Sequence, residues 1–288
     1  MGFRECEIMN IMKVFIFSDT HWALGRIHRD VMKQLPYDVR YLDWGFYSWD
    51  EFITNYNWCD KCITNLVAYK SLKPSFPFLD FKKCIFVSHG AVEHDGIVYD
   101  PSLKYGMVSN CLKDFFPSTI TPFLMKNGVD PDSFEYCPKD GNIKTLGWCG
   151  APHVQSKQIN WAKEISENIG IQLSIASNLS YDEVKQWYST IDLLLITAVP
   201  LPYKETGPLP AFEAVVSGVP VIGTPVGNFQ DIPGPKFTSV EEAITIIQFY
   251  MKNPEELRSL AKIQYAYVME HYTYKTLAKQ WQHALEFS

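Results

Sequence analysis

From Ile143 onward the chain alternates between short apolar runs and longer segments with helical spacing. IKTLGWCG, IQLSIAS and DLLLITA read as strands. QINWAKEISENIG and YDEVKQWYST read as helices. Alternation at this interval specifies a parallel, doubly wound sheet, because each strand needs a crossover before the next can pair in the same direction. Ligands of such sheets bind beyond the carboxyl ends of the strands. Lys157, Ser177 and Glu205 each follow a strand, so all three are expected to reach one crevice.

The stretch ETGPLPAFEAVVSGVPVIG, residues 205–223, continues the pattern as a loop, a short helix and a buried strand. Pro208 and Pro210 suit a helix start, where backbone N–H groups have no intrahelical partner. Gly218 suits its C-terminal cap. Free N–H groups at a helix start form an anion site, so a phosphate is expected near Gly207 and Leu209. Glu205 falls in the loop before the helix and Glu213 about one turn into it. Two carboxylates beside an anion site suit phosphates flanked by hydroxyl-rich sugars, the chemistry of a nucleotide-sugar.

Earlier in the chain, KVFIFSD (13–19), DVRYLDW (38–44) and CIFVSHG (84–90) read as strands. Ile27, Val31 and Leu35 give THWALGRIHRDVMKQL a helical period. Residues 46–72 are aromatic-rich and read as mixed helix and loop; YGMVSNCLKDF reads as strand into helix. CPKDGN, 137–142, has linker composition, and the tail from Asn253 reads as two helices. With 288 residues the chain can fill two ordinary domains.

A net charge of −6 and the lack of a dense Lys/Arg run argue against nucleic acid as a partner. Apolar runs stay short of the roughly 18 residues of a membrane span, and no basic amphipathic face stands out to support membrane association. Residues 1–11 are expected to be a dispensable leader, since Met12 directly precedes the first strand. Seven scattered cysteines point to reduced thiols and a cytoplasmic setting. The lone Cys59–Cys62 CxxC cannot close a tetrahedral zinc site.

The 205–223 stretch resembles the retaining GT-B glycosyltransferases, the family of glycogen and sucrose synthases. Their form is Glu-Gly-Phe-Gly-Leu-x-x-x-Glu-Ala with a later Gly-x-Pro-Val. Glu205, Leu209, Glu213, Ala214 and GVPV match it, while Gly207 and Pro208 stand where Phe and Gly are usual. Asn127, Gly128, Val129, Asp130 and Phe134 resemble a second marker of this family, just before its interdomain linker. The resemblance implies an α/β GT-B fold of two Rossmann-like, doubly wound domains facing a central cleft. Residues 1–135 would form the acceptor-side domain and 136–270 the nucleotide-sugar domain. The last helix, 271–288, would cross back to the N-terminal domain.

The same resemblance implies roles. Glu213 would accept hydrogen bonds from the donor ribose, and Glu205 would contact the transferred sugar. Lys157, with Ser177, Gly207 and Leu209, would hold the donor, and His89 would stand near the sugar and a hydroxyl-bearing acceptor. No metal and no cofactor beyond the donor is expected. The family places an Arg after Gly150, where this chain has Ala151; Lys204 is a candidate replacement for that charge. The first loop, SDTHWALG, keeps only Gly25 of the family's glycine-rich form.

Two other readings stay open. Ala151 and Pro208 suit a non-catalytic GT-B protein that binds a nucleotide or glycan. FSDTH resembles the opening of a metallophosphoesterase site, with Asp19 and His21 as ligands and His89, His94 and Asp95 as further ones. The Gly-Asp-x-x-Asp and Gly-Asn-His motifs of that fold do not follow.

Overall fold

The computed structural model describes residues 11–19, 23–199 and 205–288. His21, Lys204 and the leader up to Asn10 lie outside them. The first half runs β1 (Lys13–Ser18), α1 (Ala23–Met32), β2 (Asp38–Asp43), α2 (Trp49–Trp58), β3 (Lys61–Asn65), α3 (Leu66–Ser75), β4 (Cys84–Ser88), β5 (Lys104–Met107) and β6 (Phe123–Leu124). These strands form one parallel sheet in the order β2-β1-β3-β4-β5-β6. The order reverses direction between β1 and β3, so their carboxyl ends open a crevice there.

Two readings of this half need correction. Residues 46–72 contain a central strand, β3, as well as helix. Its residues Cys62, Ile63, Thr64 and Asn65 are buried between β1 and β4. Neighbouring strands and an aromatic layer of Phe15, Phe52, Tyr56 and Phe76 supply the burial that KCITN does not announce by itself. After β5 the chain makes only a 3-10 turn over Asn110–Phe115, where an α-helix was expected.

The second half runs β7 (Thr145–Cys149), α4 (Ile159–Ile169), β8 (Gln172–Ala176), α5 (Tyr181–Tyr188), β9 (Leu193–Ile196), α6 (Leu209–Val216), β10 (Val221–Gly223), α7 (Val240–Lys252), α8 (Pro254–His271) and α9 (Tyr274–Phe287). Its sheet is parallel in the order β10-β9-β7-β8. The period of two divides its strands between two cores. Leu194, Ile196 and Val221 face α6 and α8, whereas Leu193, Leu195 and Ile222 face α4 and α7. The order reverses between β7 and β9, which places the second crevice.

Two crossings join the halves. Val129 and the α8–α9 turn exchange backbone bonds: Val129 N donates to Tyr272 O at 2.9 Å and Tyr274 N to Val129 O at 3.0 Å. Gly128 is required there, because a Cβ would lie 2.5 Å from the Tyr272 carbonyl oxygen. From this turn α9 returns to the first half. It buries Trp281, Ala284 and Leu285 in the same core as β1 and β4. Among the described residues no helix is long and apolar enough to cross a membrane.

Candidate functional site

The two crevices face each other across a cleft of about 870 Å³. On the C-terminal side the loop after β7 holds Lys157 in a single 3-10 turn. Thr197 Oγ1, just beyond β9, donates to the Lys157 carbonyl at 2.9 Å and accepts from Trp148 Nε1 at 3.0 Å. The loops after two adjacent strands are thereby tied, and the Lys157 ammonium forms an ion pair with Glu205. Both side chains line the cleft.

Helix α6 begins beside this pair. Pro208 is its N-cap residue and offers no side-chain cap. Pro208 and Pro210 have no N–H, and Ala211 N already donates to Pro208 O at 2.9 Å. Leu209 is left as the main-chain donor of the first turn, with Gly207 in the loop before it. Gly227 braces that loop. Its φ is +44°, and a Cβ would meet the Thr206 carbonyl oxygen at 2.3 Å, so only glycine permits the approach.

Glu213 lies one turn into α6 and is 6% exposed. Its Oε1 accepts from Arg26 Nη2 at 2.9 Å and its Oε2 from the Tyr188 hydroxyl at 3.0 Å. Burial pushes its pKa up, while the Arg26 charge and the Tyr188 hydroxyl pull it back. Arg26 stands on α1 in the opposite half and stacks over the Tyr181 ring with Cζ 3.7 Å from the centroid. Two further bonds cross the cleft: Thr206 Oγ1 donates to His89 O at 2.7 Å, and Asn228 Nδ2 to Val108 O at 2.9 Å. The two walls are bridged in this arrangement.

The N-terminal wall carries different chemistry. His89 follows β4, and both its ring nitrogens are buried without a hydrogen-bond partner. Burial and the neighbouring His28 ring, with centroids 5.4 Å apart, hold it well below the usual histidine range, so it is neutral. His28 is buried too, its nitrogens equally unpaired and its pKa lowered to about 4 by burial. Glu93 accepts the His89 backbone N–H at 2.9 Å, and burial pushes its carboxyl up to about 7.

Lys157, Glu205, Gly207, Leu209, Glu213 and His89 therefore meet in one cleft. Ser177 does not line it. It is half-buried after β8, and Leu179 and Tyr181 from the same connection take that wall. Arg26, Tyr181 and Tyr188 were missed by sequence reasoning. An Arg on an amphipathic helix carries no local sign that it will cross to another domain. The metallophosphoesterase set does not assemble among the described residues: His94 bonds Ser88 through Nε2 at 2.8 Å and Tyr99 through Nδ1 at 2.5 Å. No group of three or more metal-ligating residues occurs there. The described cysteines are unpaired, with Cys59 and Cys62 buried.

Residues 142–283 match the model of a glycosyl transferase-like family. Solved structures extend the likeness of fold to 96% of the chain. HepE from Anabaena, in complex with UDP and glucose, has a TM-score of 0.69 at 12% identity, covering 96% of this chain and 100% of its own. An alpha-glucosyltransferase bound to UDP and a 13-mer DNA containing an HMU base has a TM-score of 0.71 at 10% identity, with coverages of 96% and 100%. The fold is GT-B. Sucrose-phosphate synthase from Thermosynechococcus elongatus shares it, with a TM-score of 0.67, 11% identity and coverages of 96% and 98%. At these identities the shared property is the backbone. Comparison with curated proteins finds no match. The DNA in one of these complexes leaves the expected exclusion of nucleic acid without support from the fold.

Proposed function

We propose that this GT-B protein is a retaining, metal-independent glycosyltransferase. It moves a hexose-like unit from a nucleotide-sugar to a hydroxyl of a glycan, lipid or small-molecule acceptor. One observation carries the reading: two carboxylates of a single loop–helix unit face one cleft, each already matched to a cation, Glu205 to Lys157 and Glu213 to Arg26. A carboxylate suits a vicinal diol, so Glu213 takes the donor ribose. Lys157, the Leu209 N–H and Gly207 hold the diphosphate, and Glu205 contacts the transferred sugar.

The chemistry follows as a front-side displacement. The bond from the anomeric carbon to the diphosphate oxygen breaks, and the acceptor oxygen bonds to the same face. The departing phosphate takes the hydroxyl proton. Lys157 and the start of α6 stabilise the charge on the leaving group. His89, neutral and with both nitrogens unpaired within the chain, faces the acceptor side. The UDP complexes of HepE and the alpha-glucosyltransferase favour UDP-linked donors. Reduced thiols continue to suggest a cytoplasmic setting.

Thermal stability with UDP, GDP, ADP and their sugar conjugates tests the reading. A ligand at about 100 times its Kd stabilises the native state by roughly 2.7 kcal/mol. The expected result is a shift with one nucleotide that disappears in Glu213→Ala, followed by transfer with the anomeric configuration kept. No shift in folded protein overturns it. Pro208 and Ala151 favour a second reading, a GT-B protein that binds nucleotide without transfer. A nucleotide shift with no turnover on any offered acceptor would select it.

A further inference from the structure

We propose that Arg26 is a positioning residue for the donor site, supplied across the cleft by the opposite half and holding Glu213 in place for the ribose hydroxyls. The inference rests on the donor-site reading above and goes beyond it: the ribose subsite, although built on the C-terminal sheet, is complete only when the cleft is closed.

The geometry supports this in three ways. First, Arg26 Nη2 contacts only one oxygen of Glu213, at 2.9 Å, and the Tyr188 hydroxyl contacts only the other, at 3.0 Å. An ionised carboxylate accepts about four hydrogen bonds, so each oxygen retains a lone pair for one hydroxyl of a vicinal diol. Arg26 therefore orients the group without occupying it. Second, the guanidinium is itself fixed, lying over Tyr181 with Cζ 3.7 Å from the ring centroid, and its side chain is only 21% exposed. Third, Arg26, Tyr181 and Glu213 all line the cleft.

The surroundings decide why a cation is needed. Glu213 is faced by Arg26 from α1, by Tyr181, Lys185 and Tyr188 from α5, by Cys149 at the end of β7 and by Tyr274 from α9. Of these, Arg26 and Lys185 are positive, and only Arg26 touches the carboxylate. Lys185 is engaged with Asp182 at 2.9 Å. Burial favours the protonated acid, and the Arg26 charge opposes it. A protonated Glu213 would turn one acceptor into a donor and spoil the match to a diol. Removing Arg26 should therefore weaken ribose binding most at low pH and least at high pH.

The experiment measures affinity for UDP, GDP and ADP and for the matching nucleosides, between pH 6 and 9. It uses wild type, Arg26→Gln, Arg26→Lys and Glu213→Gln, each verified as folded. The expected result is at least a tenfold loss in Arg26→Gln near pH 6.5, shrinking toward pH 9. Nucleoside and nucleotide should lose affinity alike. Arg26→Lys should keep the wild-type pH profile with a smaller loss. In Glu213→Gln the pH dependence should vanish, and adding Arg26→Gln should cost little more.

A loss of equal size at every pH, or one confined to the phosphorylated ligand, overturns the proposal, as does unchanged binding. If Arg26→Gln does not fold, the decision passes to Arg26→Lys: a wild-type pH profile with a loss smaller than tenfold keeps the proposal, and an altered profile or unchanged affinity overturns it. Wild-type protein that binds no nucleotide overturns the donor-site reading itself. Wild-type binding with an indifferent Arg26 overturns only the present inference.

Discussion

The two walls of the cleft treat their polar groups in opposite ways. On the C-terminal wall the charges are paired: Glu205 with Lys157, and Glu213 with Arg26 and Tyr188. On the N-terminal wall His89 keeps both ring nitrogens buried and unpaired, as does His28 behind it, and Asn127 leaves its carbonyl oxygen unpaired. Paired charges hold their geometry before a ligand arrives, which suits a fixed donor. A buried polar atom without a partner costs roughly 1–3 kcal/mol, and such a cost persists where a later partner repays it. In the proposed reading the paired wall serves the donor and the wall carrying His89 serves the acceptor.

The largest effect should fall on Glu205. Glu205→Gln keeps the shape and removes the charge beside the reacting sugar, so turnover should drop by about 10²–10³-fold, the scale of losing one electrostatic contact to the transition state. Single-turnover kinetics checks this, and retained turnover breaks the paired-wall picture. Lys157→Ala comes next. It should weaken donor binding by about tenfold to a hundredfold, equivalent to one charged hydrogen bond. The loss should be much smaller when the ligand is a nucleoside, which calorimetry can resolve.

His89→Ala sharpens the comparison from the other side. Donor affinity should stay within about twofold, while acceptor KM rises by roughly tenfold. Equal damage to both ligands would erase the distinction between the walls. The smallest effect is on stability against pH. The lowered pKa of His28, about 4, means stability present above its ordinary 6.5 is lost as pH falls toward 4. The raised pKa of Glu93, about 7, has the opposite sign: its stability is greatest below its ordinary 4.5 and is lost as pH rises toward 7. The two oppose each other between about pH 4.5 and 6.5. Glu93→Gln should therefore unfold more steeply on acidification than wild type, as melting temperature against pH will show.

What could be read beforehand depended on how local the signal was. Strands β7, β8 and β9 were legible because their apolar runs are short and alternate with helices. Lys157 and Glu205 were legible because each follows a strand of one sheet. Strand β3 was not, since KCITN is barely apolar and its burial comes from β1 and β4 on either side. Helix α2 carries a local sign of its own start. Ser48 and Glu51 form a capping box, with Glu51 N donating to Ser48 Oγ at 3.2 Å and Ser48 N donating to Glu51 Oε2 at 3.0 Å. Strand position alone puts Ser177 at the crevice; it fixes the connection but not which of its side chains turns inward.

Sequence by itself determined the doubly wound second half, the loop–helix unit carrying Glu205 and Glu213, and the strand-end positions of Lys157 and His89. These follow from periodicity and from backbone chemistry within a few residues. Only the tertiary structure decided which cation meets which carboxylate. Arg26 and Glu213 are 187 positions apart and lie on different sheets. Their contact exists because α9 packs on the first half and the Val129 crossing holds the two crevices face to face. Local propensity carries no information about a partner brought by a distant fold, and the Glu213 carboxylate is paired by such a partner.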